Sequence, residues 1–205
     1  DDTPADVHHE AGMGCIDCHG SHDMHGGDVN AADQPLLSRM EQAVSITCES
    51  CHGSASTYAP TVAGTTYSGA DATVGVDSKG IAMRHVTKDA NGDYWLKSRL
   101  DGRVHYLSQT RDIFVDTGKN HPTTGDPMYS KRASFAMGRA DGDPATGIGP
   151  VQTHNSPSGF MHGDNMDCAS CHSAWTNTCM GCHLVGEYNT GNNFSNITGE
   201  RIVFR

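Results

Sequence analysis

Large apolar side chains are scarce in this sequence. Leu, Ile, Val and Phe together supply 30 of its 205 residues. That is about 15%, and below roughly a fifth a highly charged chain falls among disordered proteins. Basic residues are short as well: 14 Lys and Arg stand against 24 Asp and Glu, for a formal net charge of −10. The basic residues are scattered, with Lys131-Arg132 the only adjacent pair. No phosphate-neutralising face can be built from them, which argues against nucleic acid as a partner. No apolar run approaches the roughly 20 residues of a membrane span; the longest are short, as around Ile202-Val203-Phe204. The chain opens Asp1-Asp2-Thr3-Pro4, not with a basic region and an apolar stretch, and reads as a mature N-terminus after export. An ordinary enzyme core is therefore not expected. The 24 glycines add apolar composition without volume, so either the chain is largely unfolded or something other than aliphatic side chains fills its interior.

What is abundant is cysteine and histidine. The eight Cys fall into four pairs of one spacing: Cys15-Ile16-Asp17-Cys18-His19, Cys48-Glu49-Ser50-Cys51-His52, Cys168-Ala169-Ser170-Cys171-His172 and Cys179-Met180-Gly181-Cys182-His183. No Cys is left over. A disulfide framework suits an even count in an exported chain, but it does not place a His after every second Cys. Zinc uses Cys-x-x-Cys pairs and His as well. With 13 His in the chain, four such placements by chance have a probability on the order of 10⁻⁵. Thioredoxin-like chemistry needs only one pair. The C-x-x-C-H spacing has its own chemical reason: two thioethers form to the vinyl groups of haem, and the next residue ligates the iron.

On these four motifs the chain resembles the multihaem c-type cytochrome family, with four haems. The resemblance implies an exported protein, haem attachment outside the cytoplasm and low-potential electron transfer. Cys15, Cys18, Cys48, Cys51, Cys168, Cys171, Cys179 and Cys182 would carry the haems, with His19, His52, His172 and His183 as proximal ligands. Four bis-His haems need four of the nine remaining His. The family often places a neighbouring haem's distal ligand shortly after a motif, which favours His22 and His25, each serving another haem. His9 and His162 each lie six residues before the first Cys of a motif, with Met13 and Met166 two residues before it. His154 and His8 rank next. His85 and His105, in strand-like sequence, and His121, before Pro122, read as structural or exposed. The nine Met allow His/Met ligation, but with spare His available Met is the better filler beside macrocycles.

The motifs cluster at the two ends of one expected domain, 1–205. A haem cluster at 8–53 is followed by a haem-free β and loop insert at 54–161, a second haem cluster at 162–183 and a tail at 184–205. The expected fold is a multihaem cytochrome fold, mostly irregular, with short helices at the haem motifs, a small β meander in the middle and a core formed by four haems. Leu36, Leu37, Met40 and Val44 share a helical face over 35–44. Asn91-Gly92 and Asp101-Gly102 punctuate a three-strand meander over 81–107. Residues 117–159, rich in Gly, Pro, Asp and Thr, read as loops. Asp141-Gly142-Asp143 lacks the full spacing of a calcium loop and reads as a turn. Asn193-Phe194-Ser195 and Asn196-Ile197-Thr198 match the glycosylation triplet.

The sequence leads to an electron conduit rather than an enzyme. With the carboxylates and oxidised irons of four haems included, the net charge becomes about −14, which favours basic or metal-bearing partners. Expected partners are redox donor and acceptor proteins or extracellular metal acceptors, with no nucleic acid and no membrane span. In haem number and chain size the chain resembles four-haem extracellular cytochrome filaments. A homo-polymer or homo-oligomer is thus expected, at the cell surface or outside it, with the periplasm as the alternative. His8-His9 could reach a neighbouring subunit, and 200–205 could add as a strand to a partner's sheet edge. The alternative function is a multihaem oxidoreductase acting on a small nitrogen or sulfur oxyanion at an open haem site. The chain could also be one part of a longer multihaem protein. If macrocycles replace the missing core, folding depends on haem attachment. Replacing Cys18 or Cys171 by Ala is then expected to leave unfolded or degraded apoprotein; a stable, compact haem-free domain on size exclusion would contradict this.

Overall fold

A computed structural model describes residues 6–20, 44–137, 166–172, 186–188 and 202–204. The chain divides into two compact units, Val7–Met166 and Asp1–Asp6 with Asp167–Arg205. In the larger unit, short helices α1 (Val7–Glu10), α2 (Cys15–Cys18) and α3 (Cys48–His52) precede five strands. The strands are β1 (Thr61–Thr65), β2 (Asp71–Val76), β3 (Ala82–Lys88), β4 (Tyr94–Lys97) and β5 (Val104–Tyr106). Helices α4 (Thr110–Phe114) and α5 (Lys131–Met137) follow. The described part of the smaller unit holds α6 (Ala169–His172), β6 (Gly186–Tyr188) and β7 (Ile202–Phe204). Among the described residues no helix is long and apolar enough to cross a membrane.

The five strands form one antiparallel sheet in sequence order. Strands β3 to β5 lie within the 81–107 meander expected from the sequence, and β1 and β2 extend that three-strand expectation to five. The reason is turn chemistry. Asp89 ends β3 with its carboxylate accepting the Asn91 and Asp93 amides and the Trp95 indole N–H, each at 2.9 Å. Gly92 supplies the left-handed residue of that turn, at φ +83°, where any other side chain is strained. The same three-residue offset recurs in Thr66 to Gly69 and Asp77 to Gly80, each closed by the Gly amide on the first residue's carbonyl at 3.0 Å. These are the two turns that deliver β1 and β2. Strand β1 has little apolar content and is mostly exposed, so no alternating pattern marks it.

Register breaks once, between β2 and β3. Val74 pairs with Thr87 but Gly75 pairs with Met83, so Arg84, His85 and Val86 have no partner on β2, although Val86 stays paired with Leu96 of β4. A bulge bends a strand and re-aims its side chains, and here the result matters for the first Cys motif.

The core lies on one side of this sheet. Met13, Ala59, Met83, Val86, Tyr94, Leu96 and Leu107 are buried together, and Ile46, Cys18 and Cys51 pack against them. A satellite cluster joins Ala55 and Val115 with Phe114 and Met137. Among the described residues the β insert therefore has a side-chain core of its own, beside the haem interior expected from composition. Helix α5 falls inside the 117–159 stretch expected to be loops, and Lys131-Arg132 opens it. Residues 35–43 of the helix expected at 35–44 lie outside the described residues, as do Asp141-Gly142-Asp143 and both glycosylation triplets. The C-terminal strand pairs within the chain: Gly186, Glu187 and Tyr188 oppose Phe204, Val203 and Ile202. One edge of that strand is therefore already taken.

Leu96 is 1% exposed at the centre of the core. Leu96→Ala is expected to cost about 2–5 kcal/mol, read by denaturant unfolding with tryptophan fluorescence; a loss under about 1 kcal/mol would contradict this core.

Candidate functional site

The first two Cys motifs are docked on the sheet by buried polar side chains. In α2, Asp17 is 1% exposed and its carboxylate accepts three hydrogen bonds. They come from the Gly14 amide at 2.9 Å, the Ser98 hydroxyl at 2.7 Å and the Arg99 amide at 2.6 Å. The first caps the helix N-terminus; the other two tie it to the turn between β4 and β5. The Asp17 carbonyl takes a further bond from Nε2–H of His85 at 2.9 Å, the residue that the β3 bulge turns out of the ladder. A carbonyl can only accept, so the proton of His85 is on Nε2. Burial holds the His85 imidazole below its usual pKa, against the opposing pull of the Asp17 carbonyl and carboxylate. Arg99 Nη2 also donates to the His19 carbonyl at 3.3 Å.

In α3 the same position is taken by Ser50, 2% exposed, whose Oγ accepts the Thr47 amide at 3.1 Å. The remaining anchoring comes from Gln109, 1% exposed. Its Nε2 donates to the Cys51 carbonyl at 2.9 Å and to the Leu107 carbonyl at 3.2 Å, and its Oε1 accepts the Ala59 amide at 2.9 Å. One residue away, His52 Nδ1–H donates to the Ser108 carbonyl at 2.8 Å. That bond leaves Nε2 as the nitrogen with a lone pair, the tautomer that metal-binding histidines adopt. Gly53 follows at φ +64°, and a side chain there would collide with the backbone of Thr57 and Ala59.

The two motifs share one core, since Cys18 and Cys51 both pack against it. Burial, with the neighbouring Cys18 and Cys48 sulfurs, pushes the Cys51 thiol up to about 12. A neutral sulfur suits this position and a thiolate does not. Cys15 and Cys48 are exposed. Each of these two motifs thus offers one half-buried and one exposed sulfur about a turn apart, followed by a histidine. Cys15, Cys18 and His19, and likewise Cys48, Cys51 and His52, could hold a haem by two thioethers and one axial nitrogen. In the smaller unit, α6 carries the third motif, with the His172 amide bonded to the Cys168 carbonyl at 3.0 Å. That repeats the His19-to-Cys15 bond at 2.8 Å in the first. Among the described residues no three His, Cys, Asp or Glu side chains form a group able to hold a metal ion by themselves.

The fourth motif, with Cys179, Cys182 and His183, lies outside the described residues. So do His22, His25, His154 and His162. Of the expected distal ligands only His9 is described, exposed on α1. Its neighbour His8, ranked lower by the sequence, brings its ring to 6.1 Å from that of His52, centre to centre, inclined by 40°. His85 and His121 hold structural positions. The amides of Thr123 and Thr124 each donate to His121 Nδ1 at 3.2 Å, and its ring meets the Tyr106 ring edge-on at 4.7 Å. His105 sits opposite Leu96 on β5.

Sequence reasoning missed Asp17 and Gln109 as anchors. Asp17 and Ser50 share a signal, a small polar residue just before the second Cys, and Ser170 repeats it in the third motif. No local pattern marks Gln109.

No family model matches this sequence, and neither a curated protein nor a solved structure matches it.

Burial raises the Asp17 carboxyl's pKa, but the bonds from Gly14, Arg99 and Ser98, with nearby His85, outweigh that and hold it below the usual carboxylate range. Its contribution to stability is therefore complete above the unfolded carboxylate pKa of about 3.9 and lost as pH falls through the lower folded value. Asp17→Ala is expected to lose about 3 kcal/mol at pH 7, because three donors lose their acceptor. It should also lose less stability than the parent between pH 7 and pH 3 in denaturant titrations.

Proposed function

We propose that the protein transfers electrons through four covalently bound c-type haems, each iron held between two histidines. The observation that carries this reading is the four-fold Cys-x-x-Cys-His pattern that consumes all eight cysteines. The geometry at the second motif supports it: His52 commits Nδ1–H to the Ser108 carbonyl and leaves Nε2 for a metal, as axial histidines do.

When bound, each haem supplies a one-electron iron couple. The chain's own residues hold and space these groups. Cys15 and Cys18, Cys48 and Cys51, Cys168 and Cys171, and Cys179 and Cys182 provide the covalent attachment. His19, His52, His172 and His183 provide the proximal nitrogens. Asp17 and Gln109 keep the first two attachment sites fixed on one sheet, so their separation does not vary with the chain between them. Distal nitrogens come from the remaining histidines, with His22, His25, His9, His162 and His154 as the sequence candidates. A fixed spacing suits a conduit, in which transfer depends on distance and no substrate has to enter.

The proposed setting is extracellular or at the cell surface. The strong negative charge suits basic redox proteins or metal-bearing acceptors. Repetition of the chain as a homo-polymer would extend the conduit; electron microscopy of native material showing only monomers at high concentration would contradict the polymer.

Six-coordinate irons leave no position for an exogenous ligand. The reduced protein is expected to show no carbon monoxide shift in its Soret band, and the oxidised protein no high-spin EPR signal. Stoichiometric carbon monoxide binding at one haem would favour an enzyme with an open site.

A further inference from the structure

We propose that His8 is the second axial ligand of the iron held by Cys48, Cys51 and His52. This deepens the reading above and rests on haem attachment at that motif. Two imidazoles on opposite sides of one metal each bond it through nitrogen at about 2 Å, which sets their ring centres about 6 Å apart. The His8 and His52 ring centres are 6.1 Å apart. Turning either ring about the shared nitrogen–iron–nitrogen axis alters the angle between the planes without altering the spacing, so the 40° inclination is compatible with that arrangement.

Simple ring packing covers roughly 4.5–7 Å, so the spacing gains its weight from three other features. The Ser108 carbonyl fixes the His52 proton on Nδ1, which leaves Nε2 as the ligating nitrogen. The backbone of His8 is anchored, because its carbonyl accepts the Met13 amide at 2.9 Å. Met13 is itself buried in the core against which Cys51 packs, so a residue 40 positions before the second motif is carried by the same core as that motif. Finally, successive residues of a helix point about 100° apart, so α1 presents His8 and His9 in different directions. His9 is then available for a different role from the one its spacing before Cys15 suggested.

The test uses the matured holoprotein with His8→Ala, His9→Ala and His8→Met, read by low-temperature EPR and near-infrared absorption. His8→Ala should convert one of the four haems to high spin, and added imidazole should return it to low spin. His9→Ala should leave the haem held by His52 low-spin, with no change in the signal that His8→Ala alters. His8→Met should give one haem a His/Met charge-transfer band, which keeps the question decidable if His8→Ala does not accumulate. A haem-loaded His8→Ala that stays entirely low-spin, or a haem-loaded His8→Met that stays entirely low-spin without that band, would overturn the assignment alone. Wild-type protein without haem stain on a denaturing gel would overturn both the assignment and the reading beneath it.

Discussion

Each of the first two Cys motifs depends on one buried polar side chain that has found all its partners. Asp17 under α2 and Gln109 under α3 are nearly inaccessible, and in that setting an unmet hydrogen bond costs about 1–3 kcal/mol. Asp17 meets its need with an amide of its own helix and two groups of the β4–β5 turn. Gln109 joins the Cys51 carbonyl to the Ala59 amide. Few other positions of these helices would satisfy the same groups. Polar anchors of this kind define orientation more sharply than apolar packing, which tolerates sliding.

The thin core acquires a specific meaning from this arrangement. A sheet of five short strands would ordinarily need more apolar cover than this composition offers. Here one face is covered by Met13, Ile46, Cys18 and Cys51, residues that belong to the motif segments or flank them. Sheet and motifs are therefore not separable layers: losing the anchoring of α2 or α3 uncovers Val86, Leu96 and Tyr94. Conversely, the sheet sets the distance between two Cys motifs that are far apart in sequence. The β3 bulge links the two demands, since it gives up pairing with β2 at Arg84–Val86 while His85 bonds the Asp17 carbonyl.

Features of the fold that lie within a few residues were legible in the sequence. Cysteine spacing, the following histidine and the Asn91-Gly92 turn are each contained in a few residues. The meander at β3 to β5 was legible for the same reason. Strands β1 and β2 were not, because Thr61–Thr65 is an exposed edge without apolar alternation and its turn uses Thr66 where Asp would have been noticed. The anchors were illegible for a different reason. Gln109 meets Cys51 from 58 residues away, and His85 reaches Asp17 across 68, separations at which single-sequence patterns carry no information. His8 and His9 show the limit clearly. Spacing before Cys15 favours His9, whereas the fold brings His8 to His52.

The central claim is that four macrocycles are bound covalently to this one chain. It is tested most directly by acid–acetone extraction of the native protein, followed by haem quantification and intact mass of the residual polypeptide. The account predicts that the colour stays with the polypeptide, at four haems per chain. Colourless polypeptide after extraction, or native protein carrying zinc or disulfides in place of haem, would contradict it.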